Sequence, residues 1–445
     1  LSTDGGALGG IGAAHFAEHS GHARDVVGVI NLDAIAAPGP PRIQIAGDAP
    51  RSPSATLVAT AAARIIEQTG FAPRRPSALK QLLDLGFPFS FYEQAPFLGH
   101  GISAITLTSA GDRPPSVDDD AVGNIRPGRL GQIGRSAQQL LASLDEGLEL
   151  RQGTSTFVYL GSRIVRGWAI ELVLVAALLP FLVAAVDLFA LTRRRRIALA
   201  PAVRSLRSRM GFWLWVVAVF EVLGLLGFWP DAGARPPAPQ ASAGTNWPVV
   251  GLIVLAALSF AGWLISRERL LPKREASTEE ELAGHAVALL ALGLVGILVV
   301  SVNAFALIFL LPSLHAWLWL PQLRPRPLLS RLATLLIGFV GPALLLWEFA
   351  YRFGLGLDAV WYLLQLLAIG WAPLFGLLLV AVWAAAGGQL AALAGGRYAA
   401  YPDEQERPPL GPIRRTLRGV ILASRARRRE RLQAASEEGP TALQG

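Results

Sequence analysis

The chain of 445 residues contains no cysteine, only one methionine and few charged residues, which make up 16% of it. Without cysteine there can be no disulfide, thiolate zinc site or cysteine nucleophile in this chain. A soluble globular protein carries about 25% charged residues, so the deficit indicates a part buried in a membrane. The formal net charge of +8 does not indicate nucleic-acid binding, because the arginines lie between apolar runs and in the tail rather than in a stripe on a soluble domain.

Long apolar runs begin near Trp168, and seven of them can cross a hydrocarbon core of about 30 Å. The runs are Trp168–Leu191, Gly211–Trp229, Trp247–Ile265, His285–Val302, Ala304–Leu320, Leu332–Tyr351 and Val360–Ala386. Only Asn303 separates the fourth run from the fifth. Pro312 and the combined length favour a tight hairpin there over one long tilted helix.

Basic residues follow the first, third, fifth and seventh runs, whereas the alternate loops Pro230–Asn246 and Arg352–Asp358 hold few. This alternation predicts that the basic loops are cytoplasmic and that the N-terminal domain lies outside. The sequence therefore predicts a multi-pass protein of the cell membrane with the lipid bilayer as a partner. Its parts are an extracytoplasmic domain (1–150), a transmembrane domain (165–394) and a basic cytoplasmic tail (395–445), which is either an amphipathic helix on the membrane surface or disordered.

Strands and helices alternate in the first 150 residues. Short runs rich in β-branched residues predict strands at Val26–Ile30, Arg42–Ala46 and Ser103–Leu107. Amphipathic patterns predict helices at Gly12–Glu18, Ser54–Thr69 and Ile133–Gly147. Such alternation is typical of a layered α/β fold with a largely parallel sheet.

Three segments of this domain form an ordered set of motifs. Residues 1–16 read LSTDGGALGGIGAAHF, residues 30–33 read INLD, and residues 92–107 read YEQAPFLGHGISAITL. In this order and spacing they resemble the M28 family of zinc-dependent exopeptidases. The resemblance implies a three-layer α/β domain of the zinc-exopeptidase type, zinc as a cofactor and a peptide as substrate. It also implies an N-terminal truncation, because the first histidine and the bridging aspartate of that family would precede Leu1.

The resemblance also implies where the site residues would lie, and at several of these positions the residue present lacks the side chain that the family uses. The family's zinc-binding glutamate and general-base glutamate fall on Gly6 and Ala7, which leaves Asp4 as the nearby carboxylate candidate or as a turn residue. Asp33 matches the terminal carboxylate ligand, although a strand-end aspartate that caps the next turn is the favoured alternative. No histidine occupies the loop at residues 111–118, where the last ligand would lie.

Other histidines do not replace the missing ligands. His15 and His19 lie four residues apart without the glutamate of a zinc-binding helix, and His100 precedes the position of the family's ligand. We therefore predict a domain that keeps its fold without catalysis and serves as a binding or assembly module for a peptide or a membrane protein. The alternatives are an active zinc exopeptidase with an altered site, and a transporter with an external gating domain.

Two ionisable residues lie inside the apolar runs. Glu221 lies in the middle of the second run, and His315 lies in the fifth. Polar groups at such depth are candidates for function. A contact between them would serve proton or substrate handling, or simply helix pairing, which is the favoured interpretation.

Overall fold

The computed structural model describes residues 10–115, 121–146, 154–160, 163–230, 235–238, 246–271, 274–323 and 327–397. Asp4, Gly6, Ala7 and the tail beyond residue 397 lie outside these ranges, as do residues 116–118 of the loop at 111–118. What the sequence predicts for those residues stays a prediction.

A three-stranded sheet forms the centre of the N-terminal domain, with strand order β1–β3–β2. The strands are β1 (Gly28–Leu32), β2 (Arg42–Gln44) and β3 (Ser103–Thr108). β1 runs parallel to β3, whereas β2 runs antiparallel to it. The strand positions agree with the prediction, but the described sheet is mixed rather than largely parallel. The reason is that a short connection without a helix joins β1 to β2, whereas a return in parallel needs a crossover of a dozen residues or more.

Helices cover both faces of this sheet. They are α1 (Ile11–His19), α2 (Ala55–Thr69), α3 (Ala78–Gly86), α4 (Gln94–Gly99) and α5 (Pro127–Asp145). On β3, Ile105 and Leu107 join the core formed with α2 and α5, while Ala104 joins the core formed with α1 and α4. Because successive side chains of a strand point to opposite faces, this alternation gives the domain a layer of helices on each side of the sheet.

A hairpin absent from the sequence prediction joins the domain to the membrane helices. It consists of β4 (Phe157–Leu160) and β5 (Arg163–Arg166), which pair in an antiparallel manner. Phe157 and Tyr159 pack into the core of the domain, and the first membrane helix begins directly after β5. The domain is therefore tied to the bundle without an intervening linker.

The rest of the described chain is helical. The helices are α6 (Gly167–Arg194), α7 (Ala200–Leu225), α8 (Val249–Leu270), α9 (Thr278–Asn303), α10 (Leu307–Leu318), α11 (Leu328–Ile337), α12 (Val340–Trp347), α13 (Asp358–Ala368) and α14 (Leu374–Ala394). By length and composition, the described residues hold 5 stretches that can cross a membrane, or 6 if one bent pair is a single span. The chain is thus a multi-pass membrane protein, and the side on which each end lies stays a prediction.

The segment Thr278–Gln322 is apolar over 45 residues but is not one straight helix. Asn303 has an extended backbone (φ −156°, ψ 101°), and its side chain accepts a hydrogen bond from the amide of Phe305. A Cβ placed on Gly296 would lie 3.7 Å from Leu314 Cδ1. In a straight helix these positions would be about 27 Å apart, so the geometry supports the predicted hairpin, with α10 folded back along α9.

The predicted seventh span, Val360–Ala386, is wrong as a single helix. It divides at Gly370, which has φ +75°, and α14 begins after Pro373. The 11 residues of α13 are too few to cross a bilayer, so α14 alone provides the span. The predicted sixth span is also modified: α11 and the stretch from Val340 to Arg352 meet at an angle of 50°.

Candidate functional site: an ionic cluster at the sheet edge

β1 and β3 end at the same edge of the sheet, and polar residues follow both strands. Asp33 comes directly after β1, and Asp112 lies in the loop after β3. Open α/β folds bind ligands beyond the carboxyl ends of their strands. This edge is therefore the place where the sequence predicts a metal ligand, and in the structure the membrane helices lie against it.

Asp112 is held by three cations. Its Oδ1 lies 3.1 Å from Arg42 Nη1, its Oδ2 lies 3.3 Å from Lys80 Nζ, and Arg352 Nε lies 3.9 Å from Oδ1. Burial raises the pKa of this carboxyl, but the charges of Arg352, Lys80 and Arg42 together outweigh burial and hold the pKa below its ordinary value. A carboxylate held so firmly in its ionised form is a poor general base.

Arg352 reaches this edge from the membrane helices. It closes a π-helical turn, Glu348–Arg352, that follows α12, and its side chain is 2% exposed. The guanidinium donates to the carboxylate of Asp84 on α3, and its Nη1 lies 2.7 Å from Glu348 Oε1. The π turn brings Glu348 and Arg352 together in the interior, and such turns occur often at functional sites.

The cluster formed by Arg42, Lys80, Asp84, Asp112, Glu348 and Arg352 contains three cations and three carboxylates. Their formal charges cancel, which is the arrangement that a buried group of ions requires. Burial raises the pKa of Asp84, and the neighbouring Arg352 opposes that shift only in part. We refer to these six residues as the ionic cluster.

Aromatic rings close one side of the ionic cluster. Phe89 and Phe91 come from the domain, and Phe349, Phe353 and Tyr362 come from the membrane helices. The centroids of Phe89 and Phe349 are 5.0 Å apart, and those of Phe91 and Phe353 are 4.8 Å apart. Rings packed in this way keep water out, and the attraction between the charges beside them becomes stronger as a result.

A second polar contact joins the same two parts of the chain. Arg113 donates from Nη1 to the carbonyl oxygen of Phe353 at 3.1 Å, next to Gly354. Gly354 has φ +66°, and a Cβ at this position would lie 3.2 Å from Arg113 Nη1. The left-handed backbone therefore favours glycine here, whereas the arginine side chain could shift to admit a Cβ.

Gln94, at the start of α4, forms a buried chain of hydrogen bonds. Asn31 Nδ2 donates to Thr106 Oγ1 at 3.0 Å, and Thr106 Oγ1 donates to Gln94 Oε1 at 2.5 Å. Gln94 Nε2 in turn donates to the carbonyl oxygen of Ala46 at 2.8 Å. A neutral amide therefore connects three segments of the domain at this position.

Asp33 lies at the predicted strand end, but among the residues that the structure describes no group of further metal ligands surrounds it. Its amide donates to the carbonyl oxygen of Leu107 at 3.1 Å. Burial, followed by the charge of Asp33, raises the pKa of the Tyr92 hydroxyl, which donates to the carbonyl oxygen of Arg113 at 2.8 Å. Within the described ranges, no three His, Asp or Glu side chains meet in an arrangement for a metal ion. The donors described at this edge do not fit the two-zinc site that the resemblance implies.

The histidines that the sequence excluded as metal ligands and the two candidates in the apolar runs are dispersed. His15 and His19 stack with their centroids 4.6 Å apart, and His100 Nδ1 lies 2.8 Å from the carbonyl oxygen of Pro96. The predicted contact of Glu221 with His315 does not form. Glu221 is exposed on α7, and His315 Nδ1 lies 3.0 Å from the carbonyl oxygen of Leu311 on its own helix. Because His315 has a hydrogen-bond partner on its own helix, its ring does not depend on a polar side chain from another helix.

No family model matches the chain, and no curated protein matches it. The interpretation of the site therefore rests on the residues themselves. The sequence pointed to Asp33, whose role as a metal ligand stays a prediction, and it did not indicate the ionic cluster. The signal available was the pair Glu348 and Arg352, two opposite charges four residues apart at the end of an apolar run.

Proposed function

We propose that this chain is a membrane-anchored homologue of the M28 metallopeptidases in which catalysis has been lost. Its outer domain then acts as a binding or assembly module, held at one face of the membrane bundle. The observation that carries the proposal is the ionic cluster, in which Arg352 of the bundle neutralises Asp84 and lies against Asp112 at the sheet edge. Cations thus stand beside the carboxylates at the edge where a metallopeptidase would hold its metals.

Two further features support this proposal. Gln94 is a neutral amide committed to hydrogen bonds within the domain, so it supplies neither a metal ligand nor a base. In addition, the aromatic rings and Arg113 fasten the domain to the helices beside the cluster. A module that recognises a peptide or a membrane protein benefits from such a fixed orientation, because less freedom is lost on binding.

The test uses the natural protein, including any residues that precede Leu1, where the family's first histidine and bridging aspartate would lie. The protein is purified in detergent and dialysed against zinc, its metal content is measured by mass spectrometry, and hydrolysis is measured on a set of aminoacyl and dipeptidyl substrates. Asp33→Asn removes the one described residue that matches a family ligand. Asp25→Asn is the matched control, because Asp25 is an exposed aspartate in the same domain. We expect less than about one zinc ion per chain and no hydrolysis that depends on Asp33.

A different result would overturn the proposal. About two zinc ions per chain, together with hydrolysis that Asp33→Asn abolishes and Asp25→Asn leaves intact, would establish a working two-metal peptidase. In that case Asp112 and Gln94 would have to be reinterpreted as parts of its framework.

A further inference from the structure

The membrane helices line a half-open cavity away from the ionic cluster. Its volume is about 450 Å³, and it lies between α7, α8 and α14. Its walls are largely apolar, and aromatic side chains from α7 and α8 form part of them. The residues that line it include Arg209, Phe212, Trp213, Trp263, Ala391 and Arg397. A volume of this size falls within the range of about 300–1,000 Å³ that is typical of small-molecule sites.

Two arginines line this otherwise largely apolar cavity. Arg209 is 3% exposed, and its guanidinium donates to Ser205 Oγ at 2.5 Å and to the carbonyl oxygen of Leu270 at 3.0 Å. These bonds fix the guanidinium at the end of α8, where it forms part of the wall. Arg397 is exposed and lies after the end of α14. The described residues that line the cavity include no aspartate or glutamate.

The cavity lies at the end of the bundle where basic residues collect. Arg267 and Arg269 occupy the last turn of α8, and Arg193 and Arg194 occupy the last turn of α6. Tryptophan rings such as those of Trp213 and Trp263 prefer the boundary between the acyl chains and the headgroups of a bilayer. Apolar walls, interfacial aromatics and arginines together match a molecule with an acyl chain and an anionic headgroup.

We propose that this cavity binds an anionic phospholipid of the surrounding leaflet, with an acyl chain against Phe212 and Trp263 and the phosphate group near Arg209 and Arg397. Arginine suits this task because its planar fork of donors matches phosphate oxygens and remains charged at any physiological pH. A zwitterionic lipid would place its own cation near the same arginines and would bind more weakly.

Binding can be measured by native mass spectrometry of the purified full chain, titrated with dioleoyl phosphatidylglycerol or dioleoyl phosphatidylcholine. We expect about tenfold tighter binding of the glycerol lipid, the order expected when two arginines favour a negative headgroup. Arg397→Gln and Arg209→Gln should each reduce this preference severalfold, and Arg209→Lys should retain part of it. Ala391→Phe should weaken the binding of both lipids, because it fills the cavity without changing its charge.

Arg204→Gln is the matched control. It removes a cation from the same helix as Arg209, but Arg204 does not line the cavity. Equal binding of the two lipids by the unmodified chain would overturn the proposal. So would an equal loss of preference in Arg204→Gln and Arg397→Gln, which would show a general effect of surface charge. If Arg209→Gln fails to fold, the variants Arg397→Gln and Ala391→Phe still test the proposal, because Arg397 is exposed and Ala391 is small.

Discussion

The guanidinium of Arg352 and the carboxylate of Asp84 form a buried ion pair between residues 268 positions apart in the sequence. Arg352 belongs to the turn that ends a membrane helix, and Asp84 belongs to the last turn of α3 in the N-terminal domain. The pair is therefore a link between the two parts of the protein. Its strength depends on the removal of water, which the surrounding aromatic rings provide.

Arg352→Met should destabilise the protein by about 3–5 kcal/mol, because it leaves the buried carboxylates of Asp84 and Glu348 without their cation. The measurement is thermal or denaturant unfolding in detergent, followed by the fluorescence of the tryptophans, of which the chain has 12. Replacement of Arg42 by methionine should destabilise the protein less, because within the cluster Arg42 contacts only Asp112.

The matched variant for this experiment removes the carboxylates together with the cation. Arg352→Met combined with Asp84→Asn and Glu348→Gln leaves no uncompensated charge, and it should recover most of the lost stability. If the triple variant is as unstable as Arg352→Met alone, the loss would come from packing around the long side chain rather than from charge.

The contribution of Asp112 to the free energy of unfolding should depend on pH. Its folded-state pKa is lowered below the ordinary value of 3.8 by the neighbouring cations, against the opposing effect of burial. An acid with a lowered folded-state pKa stabilises the protein fully above its unfolded-state pKa, and this contribution disappears as the pH falls through the folded-state value. Asp112→Asn should therefore cost about 2 kcal/mol at pH 6 and much less near pH 3.

Comparing Asp112→Asn with the unmodified protein separates the pH dependence due to Asp112 from that due to Asp84. Burial raises the pKa of Asp84, so protonation of Asp84 favours the folded state as the pH falls, which is the opposite sign. Glu67→Gln is the control, because Glu67 pairs with Arg64 at 2.9 Å on an exposed surface, where such a pair is worth about 0–1 kcal/mol. A cost of Asp112→Asn that stays constant from pH 6 to pH 3 would contradict the role assigned to its charge.

Gly341 permits a close approach between two membrane helices. A Cβ at this position would lie 1.7 Å from the carbonyl oxygen of Phe309 on α10, a backbone atom that cannot move aside alone. Gly341→Ala should cost at least about 3 kcal/mol or prevent folding in the membrane. Gly211→Ala on α7 is the control, since no atom lies within 4 Å of its added Cβ, and it should be neutral or slightly stabilising.

Apolar runs and charged loops were sufficient to place most of the membrane helices. The prediction failed at the seventh run. Gly370 and Pro373 hardly lower the average hydropathy of this run, but the backbone turns at these residues and the helix is interrupted. The sheet was found from β-branched residues, but its mixed direction depends on the short connection after β1. Strand positions are a local property, and strand direction is decided by how the connections fit around the sheet.

The ionic cluster was harder to predict because its members come from distant parts of the chain. A sequence reading treats Arg352 as one of a few basic residues in an external loop, and nothing near it in sequence indicates Asp84. Glu348 gave the only local sign, as a carboxylate inside an apolar run with an arginine four residues later. Burial of such a pair follows from the packing of the domain against the helices, which no local pattern encodes.

The predicted orientation can be tested directly because the chain has no cysteine and therefore no background thiol. Gly128→Cys places a thiol at an exposed position of the outer domain with open space around it. Ala198→Cys places one at an exposed position after the arginines that follow α6. In intact cells that express the chain, a maleimide that cannot cross membranes should label Gly128→Cys. It should label Ala198→Cys only after the cells are permeabilised, because basic loops stay in the cytoplasm. Labelling of Ala198→Cys in intact cells, with Gly128→Cys protected, would show that the orientation is inverted.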